Sequence, residues 1–306
     1  MRRFKNILFV PARGSQAADA EDQAVALATN NNARITFYGA VPPVPPLQEF
    51  VRLGNPPRSV SELLAHELSQ TLQFSVKERD TTLGIDVAVD IGIPSVEIVR
   101  RVVENGHDLV ILAADSTEDG GTLARRILRS CPCPVWVMRP GPETNRVLAS
   151  VDPAGEPELN RRIVQIAQSL ATSHAAELHI VHAWQFVGEE ALMRSEHVEL
   201  DARDLADAAT DVEAAHRRQL DELLDAVGHD RSRNVHFVNA SPVAAMAGLV
   251  EMYRIDVLTM GSVGRSDNDD DYFGNTAEIM FSKVPCSVLV VKPDGFVPPA
   301  KRTNTT

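Results

Sequence analysis

Aromatic side chains are scarce in this chain, 5% of 306 residues, although 44% of the residues are hydrophobic. A core made with so few rings must be Val, Ile, Leu and Ala, which suits parallel sheets covered by helices better than aromatic-rich all-β folds. Positive charge is also short. Lys and Arg number 30 against 42 Asp and Glu, for a formal net charge of −12. With no Lys/Arg stripe, the chain would repel a phosphate backbone, and no nucleic acid partner is expected. Cysteine is limited to Cys131, Cys133 and Cys286, too few for a disulfide framework, which fits a reducing compartment. No apolar run approaches the roughly 20 residues of a membrane span. Behind Met1-Arg2-Arg3 the apolar stretch Ile7–Val10 stops at Pro11, too short for an export signal. A cytoplasmic protein without a membrane span is expected.

Signatures of dedicated catalysis are missing as well. The chain has no Ser-Gly-Gly-x-Asp-Ser loop, no His-x-Gly-His and no Lys-Ser/Thr phosphate loop, and no acid can be paired with a base. Cys131-Pro132-Cys133 is too tight for a zinc knuckle, so its thiols read as packing groups. His179 and His182 stand three apart on an expected strand and should point to opposite faces, away from a shared metal. His174 and His236 suggest nothing beyond surface or core-edge positions. No metal site is expected.

What the chain does have is an internal repeat. Asn6-Ile7-Leu8-Phe9-Val10 returns as Asn145-Arg146-Val147-Leu148-Ala149. The expected strands Ala33–Ala40 and Ala176–Ala183 follow equivalent helices. Ile93-Pro94-Ser95 and Ser241-Pro242-Val243 each open a helix, where proline's missing N–H costs nothing. His107-Asp108-Leu109-Val110-Ile111 matches Ile255-Asp256-Val257-Leu258-Thr259, and Pro132-Cys133-Pro134-Val135 matches Pro285-Cys286-Ser287-Val288. Apolar residues at helical spacing mark further helices. One is Val96, Val99 and Val103 with Ile98 and Val102 beside them; another is Leu159, Ile163, Ile166 and Leu170. Helices are also expected over Ser59–Val76 and Leu205–Val227. Alternating strands and helices imply right-handed crossovers and a parallel sheet. The expectation is an α/β chain of two tandem doubly wound domains, 1–140 and 144–293, with a disordered tail over 294–306.

The copies differ at one place. Asp256 to Val288 spans 32 positions, whereas the equivalent Asp108 to Val135 spans 27. The extra residues lie between the fourth strand and the last helix, where open α/β sheets bind ligands. In the second copy this stretch holds Met260-Gly261-Ser262-Val263-Gly264-Arg265, an acidic run with Asp267, Asp269, Asp270 and Asp271, then Phe273-Gly274-Asn275-Thr276-Ala277-Glu278. Gly261 and Gly264 allow close backbone approach to a ligand, and Gly274 stands before a helix whose free N–H groups favour an anion. A helix start capped by Asn275, with Glu278 completing a capping box, explains the last residues equally well. The first copy offers Ala113-Ala114-Asp115-Ser116-Thr117-Glu118-Asp119-Gly120-Gly121, with no paired glycines and with carboxylates where phosphate would sit. It is expected not to bind nucleotide.

The glycine pattern G-x-x-G, nine residues, G-N resembles the ATP-binding motif of universal stress proteins, and the doubled array resembles their tandem type E. The resemblance covers nearly the whole chain apart from the tail. It implies two adenine nucleotide α-hydrolase-like domains, each with a five-stranded parallel sheet flanked by helices. They would pack as an intrachain pseudo-dimer through Val135–Met138 and Ser287–Val291, with a further homodimer open. It also implies ATP or another adenine nucleotide in the second domain, with or without Mg; the Asp267–Asp271 run reads as a solvated loop, since its spacing misses the calcium-loop pattern. Asp152 matches the adenine-side aspartate, Met260 and Gly261 the strand end beside the nucleotide, and Gly264, Gly274, Asn275 and Thr276 the phosphate cradle. Arg265 is the one nearby positive charge in sequence. The first copy has Ala12 where the second has Asp152. Two departures stand out: Asn275 replaces the usual hydroxyl residue, and the acidic run opposes a triphosphate unless a cation intervenes. Asp152-Pro153-Ala154-Gly155 also reads as a plain turn. Three functions stay open at this point: a stress-response regulator sensing an adenine nucleotide, a scaffold for a non-nucleotide ligand or protein partner, and an enzyme limited to slow ATP hydrolysis.

Overall fold

A computed structural model of the chain describes residues 4–12, 17–45, 58–79, 83–114, 118–139, 144–186, 201–262 and 275–296. Strands and helices alternate as the repeat requires. The first copy runs β1 (Asn6–Val10), α1 (Ala17–Asn31), β2 (Arg34–Val41), α2 (Val60–Lys77), β3 (Ile85–Ile91), α3 (Pro94–Asn105), β4 (Leu109–Ala113), α4 (Glu118–Ser130) and β5 (Val135–Met138). The second runs β6 (Arg146–Ser150), α5 (Pro157–His174), β7 (Glu177–Trp184), α6 (Ala202–Ala226), β8 (Val235–Asn239), α7 (Pro242–Tyr253), β9 (Val257–Gly261), α8 (Asn275–Lys283) and β10 (Ser287–Val291).

The chain divides into two compact units, Met1–Pro142 with Ser287–Thr306, and Glu143–Cys286. In the first, strands lie in the order β3-β2-β1-β4-β5-β10. The pairs β1–β2, β1–β4, β2–β3 and β4–β5 are parallel. β10 runs antiparallel to β5, with Val288 opposite Val137 and Val290 opposite Val135, so the two strands expected to meet do so. In the second unit the order is β9-β6-β7-β8, again parallel. Each unit therefore starts in the middle of its sheet, builds outward on one side, then returns to the other. The reversal falls between β1 and β4 in one unit and between β6 and β9 in the other, and such a switch point opens a crevice at the carboxyl ends of the strands.

Local chemistry explains the elements. β4 and β5 are continuous apolar runs buried along nearly their full length, as strands covered on both faces must be. Ser59 accepts the N–H of Glu62 and the Glu62 carboxylate accepts the N–H of Ser59, a complete capping box that starts α2. Asp201 and Asp204 do the same for α6, which therefore begins a little before the expected Leu205. α3 and α7 both start on proline. α3 ends at Gly106, whose φ of 64° is left-handed and natural to glycine.

The repeat reaches down to single hydrogen bonds. Asp108 accepts the backbone N–H groups of Lys5 at 2.7 Å and Asn6 at 3.0 Å. Asp256 accepts those of Asn145 at 2.8 Å and Arg146 at 2.9 Å. Each aspartate thus fixes the first strand of its own copy against the fourth.

α5 buries Leu159, Ile163, Ile166 and Leu170 as expected. The α3 expectation needs correction. Ile98 and Val102 are buried, Val99 is half-buried, and Val96 and Val103 are exposed, because 96 and 103 lie roughly 100–160° around the helix from 98 and 102, with 99 between. At the C-terminal end, Phe296 is buried and its N–H donates to the Pro293 carbonyl at 3.4 Å. Residues 297–306 of the expected tail lie outside the described residues.

Candidate functional site

In the second unit the switch point lies at the carboxyl ends of β6 and β9, and α8 follows β9 in the chain. The β6–β9 register, Val147 opposite Val257 through Ala149 opposite Thr259, brings the two strand ends side by side at the usual spacing of about 4.8 Å. Asp152 follows β6 at its carboxyl end. The segment Asp152–Gly155 is a turn closed by the Gly155 N–H donating to the Asp152 carbonyl at 2.8 Å. The turn reading and the site reading therefore describe the same residue.

That turn is pinned from α5. Buried Asn160 accepts the Asp152 N–H through Oδ1 at 2.8 Å. Its Nδ2 donates to the carbonyls of Asp152 at 2.7 Å and Glu156 at 2.9 Å. Nothing in the sequence pattern singled out Asn160. Its signal was a polar residue inside an otherwise apolar helical stripe, between Leu159 and Ile163.

On β9, Met260 is buried and Gly261 half-buried. A Cβ added to Gly261 would stand 3.2 Å from Leu159 Cδ2 and 3.5 Å from Ile163 Cδ1. The glycine thus permits close approach of α5, and any ligand contact there falls to its main chain. Just beyond, Ser262 is fully buried and its hydroxyl has no hydrogen-bond partner among the described residues; Thr259 is in the same condition. A hydroxyl buried without a partner costs about 1–3 kcal/mol.

α8 is nine residues long and opens with Asn275 and Thr276. Asn275 is itself the first helical residue, so the expected cap would have to sit one position earlier; its side chain is not among those described. Gly264, Arg265, Gly274 and the acidic run from Asp267 to Asp271 also lie outside the described residues. Of the site residues read from the sequence, Asp152 follows β6, Met260 and Gly261 end β9, and Thr276 lies in the first turn of α8. In the first unit, Ala12 follows β1, Ala113 ends β4 in the place of Gly261, and α4 begins with Glu118 and Asp119.

The histidines divide as the strand alternation requires. His179 Nδ1 lies 3.0 Å from His236 Nε2, and both rings pack against Tyr253 of α7. On the other face, His182 Nε2 lies 2.9 Å from His216 Nδ1 of α6, with Phe237 and Trp184 around them. His182 Nδ1 also meets the Val151 carbonyl at 3.1 Å, bracing the residue before Asp152. Burial lowers the pKa of both His179 and His236; the Glu177 carboxylate pulls His179 the other way. His236 is thus half of a cross-strand pair that its sequence position did not suggest. Among the described residues, no group of three or more His, Cys, Asp or Glu is placed to hold a metal ion. No described helix is long and apolar enough to cross a membrane.

The universal stress protein family model matches residues 3–139 and again 143–292. Universal stress protein E of Photorhabdus laumondii is 23% identical over 98% of this chain and 99% of its own length. Universal stress protein E of Escherichia coli is 27% identical over 68% of each chain. Among solved structures, a functionally unknown protein from Pseudomonas aeruginosa superposes with a TM-score of 0.69 at 19% identity, covering 96% of this chain and 94% of the other. A universal stress protein from Archaeoglobus fulgidus gives 0.59 at 16% identity, over 94% and 98%. These two likenesses bear on the fold. Matched twice along its length, in the same two stretches that the internal repeat marks out, the chain belongs to the universal stress protein family.

Proposed function

We propose that the second unit binds one adenine nucleotide, ATP or AMP, at the carboxyl ends of β6 and β9, and that the chain acts as a nucleotide-responsive regulatory module. The observation that carries this is the buried Ser262 hydroxyl, which has no hydrogen-bond partner among the described residues. It sits where a strand end of the switch point runs on into the glycine loop. An unsatisfied polar group beside such a crevice calls for a ligand or water.

In this reading Asp152 accepts a hydrogen bond from the adenine amino group. Main-chain N–H groups of Gly261, Gly264 and Gly274 and the first turn of α8, with Asn275 and Thr276, receive the phosphates at the positive end of the helix dipole. Arg265 adds positive charge, and a divalent cation such as Mg bridges the phosphates to the acidic run. Catalysis is at most slow ATP hydrolysis, since no acid–base pair is in place. Binding would alter a surface read by a protein partner. The chain would work in the cytoplasm.

Calorimetric titration with ATP and with AMP tests this. One site per chain is expected, weakened at least tenfold by Asp152→Ala through the loss of a charge-assisted hydrogen bond. Two equivalent sites, or no heat with either nucleotide, would contradict it and favour the scaffold reading.

A further inference from the structure

At the end of α4 the first unit holds a chemical cluster that the nucleotide reading does not use. Cys131 and Cys133 flank Pro132, both thiols are buried, and their sulfurs lie 3.5 Å apart. Lys292, just after β10, is 1% exposed. Its ammonium donates to the Leu128 carbonyl in the last turn of α4 and stands 4.5 Å from the centre of the Phe296 ring. The β5–β10 register explains the meeting: with Val290 opposite Val135, two further residues along each strand bring Lys292 across from Cys133.

Packing alone does not account for this cluster. The second copy provides the comparison, because Val284 stands where the first has Cys131 and Cys286 where it has Cys133. Val284 is buried too, so an apolar side chain satisfies that position. The first copy instead places a second thiol there and sinks an ammonium beside it, at a desolvation cost of several kcal/mol unless a counter-charge is present. Cys131 and Cys133 both act on Lys292. Burial brings the Lys292 pKa down to about 8, and the thiols oppose that shift. Burial would raise the Cys131 thiol, but the Cys133 thiol and backbone N–H, with Lys292, hold it below the ordinary thiol value. The hydrogen bond given to Cys131 and burial both push Cys133 up. The two sulfurs thus stand within hydrogen-bond reach of each other, with a buried ammonium held at the same end of α4.

We propose that Cys131 and Cys133 are a peroxide-oxidisable dithiol, with Cys131 as the attacking thiolate, Cys133 as the resolving thiol and Lys292 as the cation that holds the thiolate. In the first step the Cys131 sulfur attacks one oxygen of a hydroperoxide. An S–O bond forms and the O–O bond breaks. The leaving oxygen takes a proton from the Lys292 ammonium and departs as an alcohol, or as water from hydrogen peroxide, leaving a sulfenic acid. In the second step the Cys133 sulfur attacks the sulfenic sulfur. The S–S bond forms, the S–O bond breaks, and hydroxide leaves with the Cys133 proton as water. Two thiols are oxidised and one peroxide is reduced. The sulfurs must close from 3.5 Å to a bond of about 2.05 Å, which draws the end of α4 toward the start of β5. Hydrogen peroxide is little larger than water, and Cys133, at 9% exposure, is the edge of the cluster that faces outward.

The test uses the full chain, reduced, freed of reductant, exposed to hydrogen peroxide and then alkylated in denaturant for peptide mapping. Cys131 and Cys133 should lose alkylation together, with their peptide lighter by two hydrogens, and dithiothreitol should reverse the change while Cys286 stays alkylated. Both thiols remaining alkylated while Cys286 oxidises, or over-oxidation of single thiols without a disulfide, would overturn the proposal. Lys292→Met should slow the native reaction about tenfold or more, and Lys292→Arg should restore it, with all three proteins reacting alike in denaturant. Wild-type rates for Lys292→Met in the folded state would also overturn it.

Discussion

Asn160 and Asp152 face each other as a reciprocal pair: the Asn160 carboxamide accepts the Asp152 backbone N–H at 2.8 Å and donates to the Asp152 carbonyl at 2.7 Å. One side chain on a helix thus replaces both strand partners that the backbone loses where β6 ends. It holds the candidate aspartate at the mouth of the crevice.

Removing that carboxamide should therefore cost both order and affinity. Asn160→Ala leaves buried backbone groups unsatisfied, and a loss of about 1–3 kcal/mol is expected. Denaturant unfolding followed by circular dichroism checks it. Asn160→Asp keeps the acceptor but removes the donors, so a loss of similar size is expected.

Gly261 makes a prediction about size. Its missing Cβ would sit 3.2 Å from Leu159 Cδ2, close enough that an alanine needs a small shift and a valine needs more than Leu159 can give. Gly261→Val should lower stability by about 1–3 kcal/mol, and Gly261→Ala by less. Restoring room with Leu159→Ala in the Gly261→Val background should recover part of the loss, which a thermal melt reads directly.

The two strand-fixing aspartates should behave as a matched pair. Asp108→Ala and Asp256→Ala each remove a carboxylate that accepts two backbone N–H groups. A loss of about 2 kcal/mol is expected in each copy, measured by urea unfolding with proteolytic fragments assigned to each half. A large effect in one copy and none in the other would contradict the structural equivalence.

The His179–His236 pair makes stability depend on pH. Both folded-state values lie below the ordinary histidine value, chiefly through burial. Above about pH 6.5 both states are neutral and the pair is indifferent to pH. As pH falls below that, the unfolded chain takes up protons that the fold refuses, so stability drops until the lowered folded values are reached. Melting temperature should therefore fall as pH drops below about 6.5, and His236→Phe should flatten that fall. An unchanged slope in the variant would contradict the assignment.

Much of this was legible in the residues. The repeat, the strand order's consequences, the helix starts at Pro94 and Pro242 and the opposite faces of His179 and His182 follow from periodicity and from proline's missing donor. What escaped depends on contacts between distant segments. Asn160 acts eight residues away across a turn, and His236 finds His179 on another strand. Lys292 reaches the Leu128 carbonyl at the end of α4 because β10 turns antiparallel onto β5, a pairing that no local pattern encodes. Gly261 carries a lesson about motif glycines: the sequence suggested room for a ligand, whereas the neighbour it makes room for is Leu159. The α3 stripe failed for a simpler reason, since apolar residues occupy both sides of that helix and packing selects one.

The central claim is that one nucleotide binds and that it binds in the second copy. Hydrogen exchange with and without ATP, read by mass spectrometry peptide by peptide, tests both parts at once. The expected result is slowed exchange in peptides covering 150–156 and 260–278, with none over 10–16 and 113–121. Equal slowing in both copies, or none anywhere at saturating ATP, would contradict it.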